Sequence, residues 1–215
     1  MPMTNERWNF LLDYPKEIFG SVDPRLETLM DRAVEAGLPP ISITHGSGQL
    51  LKLLASLTNG RIAIEVGTLG GFSGICIARG LAPDGRLITV EYSDLHADFA
   101  QGEFDAAGLG DRVEIVRGAA LDVLPGLVEG LGPDSVDFLF IDAVKDEYIS
   151  YFEVVKPALA PGALAVADNV YGIGKGWLDE GFGTDDFNKH VAADTDFDAT
   201  TVHVGGGLLI ARRSL

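Results

Sequence analysis

Cysteine is almost missing from this chain: Cys76 is the single one among 215 residues, which excludes an intrachain disulfide and any cysteine-built metal cluster. Long apolar runs are missing as well. No stretch approaches the roughly 18 residues that span a bilayer, and residues 1–10 lack the basic start and apolar run of a secretory signal. Positive charge is scarce, with 16 Lys and Arg against 32 Asp and Glu, a formal net charge of −16. Such a surface repels phosphate backbones, so nucleic acid is a disfavoured partner, and the excess of acid reads most simply as solubility. There are no blocks of like charge, repeats or low-complexity tracts, so no linker or second domain is expected. These absences leave a cytosolic protein with one domain over 1–215, and no membrane partner, as the expectation.

What is present suits a packed α/β protein. Hydrophobic residues make up 47% and charged residues 22%, ordinary values for a globular chain. Residues 1–60 read as helical. Asp23-Pro24 is an N-cap followed by proline at the first helical position, and the pattern runs to Gly37. Pro39-Pro40 then breaks the chain. A second helix starts near 44–47, carries Leu50, Leu51, Leu53, Leu54 and Leu57, and ends at Asn59-Gly60.

From Arg61 onward short apolar strands alternate with helices. Strands are expected at 62–66, 87–91, 113–117, 136–141 and 164–167, with helices near 71–78, 95–107, 119–128 and 147–159. Wholly apolar strands such as Phe138-Leu139-Phe140-Ile141 suit a parallel sheet covered on both faces, and this alternation predicts a doubly wound sheet with right-handed crossovers. After residue 170 the order changes. A glycine-rich loop leads to a helix near 185–193, and strands at 199–204 and 208–212 flank Gly205-Gly206-Gly207 as an antiparallel hairpin at the sheet edge.

Four of the five parallel strands carry an acid beside their C-terminal ends: Glu65, Glu91, Asp142 and Asp168. Ligands of open α/β sheets bind at that edge. The plain alternative is that these acids cap helices, but glutamate caps poorly beside Asp or Ser. The turn Glu65-Val66-Gly67-Thr68-Leu69-Gly70-Gly71-Phe72-Ser73 lets a ligand approach the backbone, yet its spacing is not GxGxxG. Glu65 also sits where a pyrophosphate would be repelled, which disfavours NAD. Glu91, 24 residues after Gly67, lies where an acid takes the two hydroxyls of a ribose. Asp142, Asp168 and Asn169 offer hard oxygen donors suited to Mg²⁺, Mn²⁺ or Ca²⁺ rather than zinc. Lys145, three residues beyond Asp142, is in reach of that site as a base.

Taken in order, Gly48-Gln49-Leu50-Leu51, the turn from Glu65 to Ser73, Gly118-Ala119-Ala120, the stretch from Phe140 to Tyr148, Pro161-Gly162, Asp168-Asn169-Val170 and Phe187-Asn188 make a pattern. It resembles the cation-dependent, S-adenosylmethionine (SAM)-dependent O-methyltransferases of the caffeoyl-CoA and catechol type, from about residue 41 to 213. The resemblance implies a Rossmann-like methyltransferase fold and assigns roles by position. Glu65, Gly67 and Ser73 lie along the methionine part of SAM, Glu91 at its ribose and Ala120 near its adenine; Asp142 belongs to both cofactor and metal sites. Asp142, Asp168 and Asn169 match the metal ligands, and Lys145 the base. It also implies a homodimer whose N-terminal helices lie near the active site, and a small aromatic diol as substrate.

The family often carries Asp where this chain has Val144, a position tied to substrate rather than metal, so the departure leaves the identity of the diol open. A phenol titrates near ~10 and needs help to ionise at neutral pH; a divalent ion on both oxygens of a vicinal diol supplies it, with Lys145 taking the proton. Two rivals stand beside this reading: a tRNA-modifying methyltransferase on the same scaffold, against which the charge counts, and a cofactor-binding protein without catalysis. His45, His96, His190 and His203 show no metal-ligand spacing; of these, His45 is expected to border the pocket. Trp8, Phe10 and Tyr14 are expected to pack the first helix or a dimer contact. Tyr171 and Trp177, in the loop after Asn169, are possible walls for an aromatic ring.

Overall fold

The computed structural model of the chain describes residues 4–19, 23–171 and 184–215. Its N-terminal part is helical: α1 spans Asn5–Phe19, α2 Pro24–Glu27, α3 Leu29–Glu35 and α4 His45–Thr58. Asp23 caps α2 by accepting from the Arg25 amide. The single helix expected over 23–37 is broken at Thr28, whose φ/ψ of −104°/4° leave the helical region and whose hydroxyl donates back to the Pro24 carbonyl. Thr44 caps α4 through the Ser47 amide, and Asn59, left-handed at φ 48°, ends it.

Five parallel strands follow: β1 Ile62–Val66, β2 Arg86–Glu91, β3 Val113–Arg117, β4 Val136–Ile141 and β5 Leu159–Asp168. They are linked by α5 Phe72–Gly80, α6 Asp94–Ala106, α7 Ala120–Leu131 and α8 Tyr148–Val155; α9 Asp185–Ala193 then precedes β6 Phe197–Val202 and β7 Leu208–Arg213. The sheet order β3-β2-β1-β4-β5-β7-β6 reverses between β1 and β4, which opens a crevice at their carboxyl ends. β7 runs antiparallel to both β5 and β6, so the expected edge hairpin is present.

Element ends depart from expectation for local reasons. β5 begins at Leu159 rather than 164, because Pro161 and Gly162 lie inside it and a register shift between Val136 and Phe138 absorbs the irregularity. α8 stops at Val155 rather than 159, since Pro157 has no amide hydrogen to continue it. α7 runs on to Leu131, and β6 covers 197–202 instead of 199–204, the Val204 amide bonding locally to the Val202 carbonyl.

Alternation along the strands divides the core. Ile64, Val66, Leu139 and Ile141 face Tyr148, Phe152 and Val155, while Ala63, Phe138 and Phe140 face Leu51, Ile75 and Ile77 of α4 and α5. Charge fastens the N-terminal helices to this body. Arg25 donates to Glu103 Oε1 (3.0 Å), and Arg32 holds both oxygens of the same carboxylate (3.0 and 2.6 Å), whose side chain is 5% exposed. Among the described residues no helix is long and apolar enough to cross a membrane.

Candidate active site

The acids of β1, β2, β4 and β5 meet at one edge of the sheet. β1 pairs in register with β2 and with β4, and β4 with β5, so Glu65, Glu91, Asp142 and Asp168 close four neighbouring strands. The turn from β1 into α5 is held in an unusual shape: Gly67, Leu69 and Gly71 have φ of 101°, 47° and 84°. Gly67 has to be glycine, since a Cβ there would sit 2.2 Å from the Asp142 carbonyl oxygen. The two loops are also bonded to their neighbours, the Gly67 amide to the Val90 carbonyl and the Asp142 amide to the Val66 carbonyl.

Glu91 clamps that turn from outside. Its Oε2 accepts from the amides of Thr68 (3.2 Å) and Leu69 (2.8 Å), and its Oε1 from the Ser93 amide, with His96 Nδ1 at 3.3 Å. Glu65 lies beneath the turn and is wholly buried; Oε2 accepts from the Thr89 hydroxyl, and Oε1 has no hydrogen-bond partner. Burial pushes the Glu65 carboxyl up to about 7, with the Ser73 and Thr89 hydroxyls opposing and Asp142 and Glu91 adding to the rise. Ser73 is buried in the first turn of α5, whose N-cap, Gly71, has no side chain to offer its amides. Ala120 opens α7 just past β3.

The second cluster lies at the ends of β4 and β5. Lys145 Nζ donates to Asp142 Oδ1 (2.5 Å) and to the Tyr148 hydroxyl (2.6 Å), which in turn donates to the Asp168 carbonyl (3.2 Å). Asp168 is 4% exposed and its Oδ1 has no hydrogen-bond partner. Burial, then the charge of Asp142, pushes its carboxyl up to about 7, against the pull of the Asn169 amide and Lys145. Asn169 takes a left-handed φ of 58°, its carbonyl fixed by the Thr184 hydroxyl. Two adjoining carboxylates with one enclosed, unpartnered oxygen fit a hard divalent cation. Among the described residues no group of three His, Cys, Asp or Glu side chains makes a metal site, so the fit depends on the asparagine as third donor.

All the residues expected at the site, Glu65, Gly67, Ser73, Glu91, Ala120, Asp142, Lys145, Asp168 and Asn169, lie at this edge, although Glu65 is under the turn rather than on its face. Tyr171 is turned onto the hairpin, its ring tilted against His203 (centroids 4.9 Å apart) and its hydroxyl donating to Thr201 Oγ1; Trp177 lies outside the described residues. His45 meets the Phe72 ring edge-on and lines a cavity of about 360 Å³ between α2, α4 and α5, which none of the strand-end acids borders. Thr68, Thr89, His96 and Tyr148 were not anticipated. The signal for Thr89 is a hydroxyl inside the apolar strand Leu87-Ile88-Thr89-Val90, and for Tyr148 its place six residues after Asp142.

A pH dependence follows from Glu65. The folded acid holds its proton more tightly than the unfolded one, from 4.5 to about 7. Its contribution is therefore full below pH 4.5 and is lost as pH rises through 7, on the order of 3 kcal/mol. Urea unfolding of the ligand-free protein at pH 4.5, 6 and 8 should show this fall, and Glu65→Gln should make it shallower, the remainder belonging to Asp168, which is also raised to about 7. Parallel profiles for the two proteins would refute the burial account.

The O-methyltransferase family matches this chain over residues 17–214. A catechol O-methyltransferase of Niastella koreensis is 41% identical over 211 residues, 95% of this chain and 94% of its own. An O-methyltransferase from Bacillus cereus, solved in complex with S-adenosylhomocysteine (SAH), superposes with a TM-score of 0.86 at 34% identity, covering 97% of this chain and 99% of that one. TomG of Streptomyces achromogenes, an O-methyltransferase involved in tomaymycin synthesis and solved with SAM, gives the same score and identity over 100% of both chains.

Proposed function

The chain belongs to the SAM-dependent O-methyltransferase family, and from that premise we propose that it methylates one hydroxyl of a vicinal aromatic diol, catechol-like or caffeoyl-like, with a divalent cation, Mg²⁺ before Mn²⁺ or Ca²⁺. One observation carries the reading: the enclosed, unpartnered Asp168 Oδ1 stands beside Asp142, with Lys145 one hydrogen bond away. Asp142, Asp168 and Asn169 would hold the ion. Bound SAM supplies a methyl already activated on its sulfonium, and a bound divalent ion supplies Lewis acidity to the oxygens of the diol.

The chain's own groups do the rest. The uncapped first turn of α5, with Ser73 beside it, suits the carboxylate of the methionine moiety. Gly67 keeps that approach free of side chains. Glu91 would take the ribose hydroxyls, and Ala120, at the start of α7, would lie against the adenine. Asp142 joins the two halves, its main chain against Gly67 and its carboxylate toward Lys145. Lys145 Nζ, steadied by Tyr148, takes the proton of the attacking hydroxyl when it stands as the neutral amine, becoming the ammonium. Alignment of that oxygen with the methyl is the remaining demand, and a preformed turn meets it.

The homodimer belongs to the same reading. Phe10, Tyr14 and Ile18 are 59%, 44% and 53% exposed at i, i+4 and i+8 of α1, with Leu53 and Leu57 exposed on α4, a stripe suited to a second copy; light scattering at the mass of one chain would exclude it. The function is tested by methyl transfer to catechol, to a monophenol and to bulk tRNA, each with Mg²⁺ and with EDTA. Transfer to catechol alone, lost in EDTA and restored by Mg²⁺, is the expected result. EDTA-insensitive transfer would remove the metal from the account, and preference for the monophenol would remove the diol.

A further inference from the structure

We propose that Thr68 and Thr89 are positioning residues of the cofactor turn, their hydroxyls forming a buried relay that ties its backbone to the Glu65 carboxylate. Parallel pairing sets Thr89 opposite Glu65. The Thr89 hydroxyl donates to Glu65 Oε2 at 2.6 Å. A hydroxyl has one proton to give, so in the contact between Thr68 Oγ1 and Thr89 Oγ1, also 2.6 Å, Thr68 is the donor. The relay thus has one direction, from Thr68 through Thr89 to Glu65.

Thr68 is held at every polar atom. Its hydroxyl is in the relay, its amide donates to Glu91 Oε2, and its carbonyl accepts from the Gly71 amide at 2.9 Å. Glu65 pulls the turn from beneath and Glu91 from outside, with Thr68 between them. Valine would fill the space of either threonine without the cost of burying a hydroxyl, which is repaid only when it is bonded. Thr68, Thr89 and Glu65 are 1%, 0% and 0% exposed, so no solvent competes for these bonds. Gly74 of α5 completes the fit: a Cβ there would lie 2.9 Å from Glu65 Oε2. What the relay holds is a turn that the chain would not adopt freely, since Leu69, a branched residue, sits at φ 47°.

This inference rests on the turn being the seat of SAM, and the experiment separates the two. SAH affinity is measured by calorimetry, and KM for SAM and kcat by methyl transfer, for the wild type, Thr89→Val, Thr89→Ser, Thr68→Val, the double valine variant and Gly67→Ala. Thr89→Val is expected to weaken SAH about tenfold or more, the usual worth of a hydrogen bond to a charged group, with a matching rise in KM and a smaller change in kcat. Thr89→Ser should recover most of the affinity. Thr68→Val, which leaves Thr89 bonded to Glu65, should lose about three- to tenfold, and the double variant little more than Thr89→Val, as expected for members of one chain. If Thr89→Val does not fold, Thr68→Val alone decides. SAH affinity within twofold of the wild type in the valine variants, additive losses, or no recovery with serine would overturn the relay. Normal SAH binding by Gly67→Ala would instead overturn the seat itself.

Discussion

Lys145→Ala is expected to lower kcat for catechol methylation by about 10²–10⁴-fold, the range a positioned general base contributes, while SAH affinity changes only a few-fold. The expectation follows from where the amine is held. Lys145 Nζ is fixed between Asp142 Oδ1 and the Tyr148 hydroxyl, at the end of β4 where a diol would meet the candidate cation. Nothing of the cofactor turn rests on Lys145, since its bonds run to Glu91, Val90 and Thr89. Charge and proton acceptance are separable with Lys145→Arg, which keeps the positive charge but cannot deprotonate. Loss in both variants identifies the base; recovery with arginine would reduce Lys145 to a counter-charge for Asp142. A kcat within threefold of the wild type in Lys145→Ala would remove it from the chemistry.

The second large effect is expected at Gly67. A methyl group there meets the Asp142 carbonyl at 2.2 Å, main chain against main chain, and the residue would have to hold φ 101°. Neither demand is met by rotating a side chain, so the β1–α5 turn and the loop after β4 must part. Because the Gly67 amide bonds to Val90 and the Asp142 amide to Val66, separation disturbs both halves of the site. Gly67→Ala is expected to lose about 100-fold or more in SAH affinity and in kcat/KM, the range reached when misplacement by about 1 Å spoils alignment. The protein should remain folded by circular dichroism at low temperature, with a lowered Tm. Affinity within threefold of the wild type would remove SAM from this turn.

Much of this arrangement was legible before any coordinates. Five apolar strands alternating with helices led to the doubly wound sheet, and the acid beside each of four strand ends pointed to the crevice. The edge hairpin was marked by Gly205-Gly206-Gly207 between two apolar runs. What escaped depends on contacts between distant segments. The fifth strand was expected only at 164–167, because nothing local reports that Val136 will pair with Leu159. Thr28 read as an ordinary helical residue, though its hydroxyl competes for the Pro24 carbonyl. Thr68 and Thr89 are 21 residues apart, and only strand register makes them neighbours. Glu91 was expected at the ribose, and its clamp on the turn was not legible, because it takes bonds from residues on either side of it in the fold. Tyr171 looked like a pocket wall from its loop position, and its ring lies on the hairpin instead.

The carboxylate of Glu103 bears on how the protein can move. Two guanidinium groups from separate short helices converge on one nearly dry anion. Lifting α2 and α3 away would strand that anion without a counter-charge, at about 3–5 kcal/mol. The segment carrying Arg25 and Arg32 is thus no hinged flap but a wall bolted to α6.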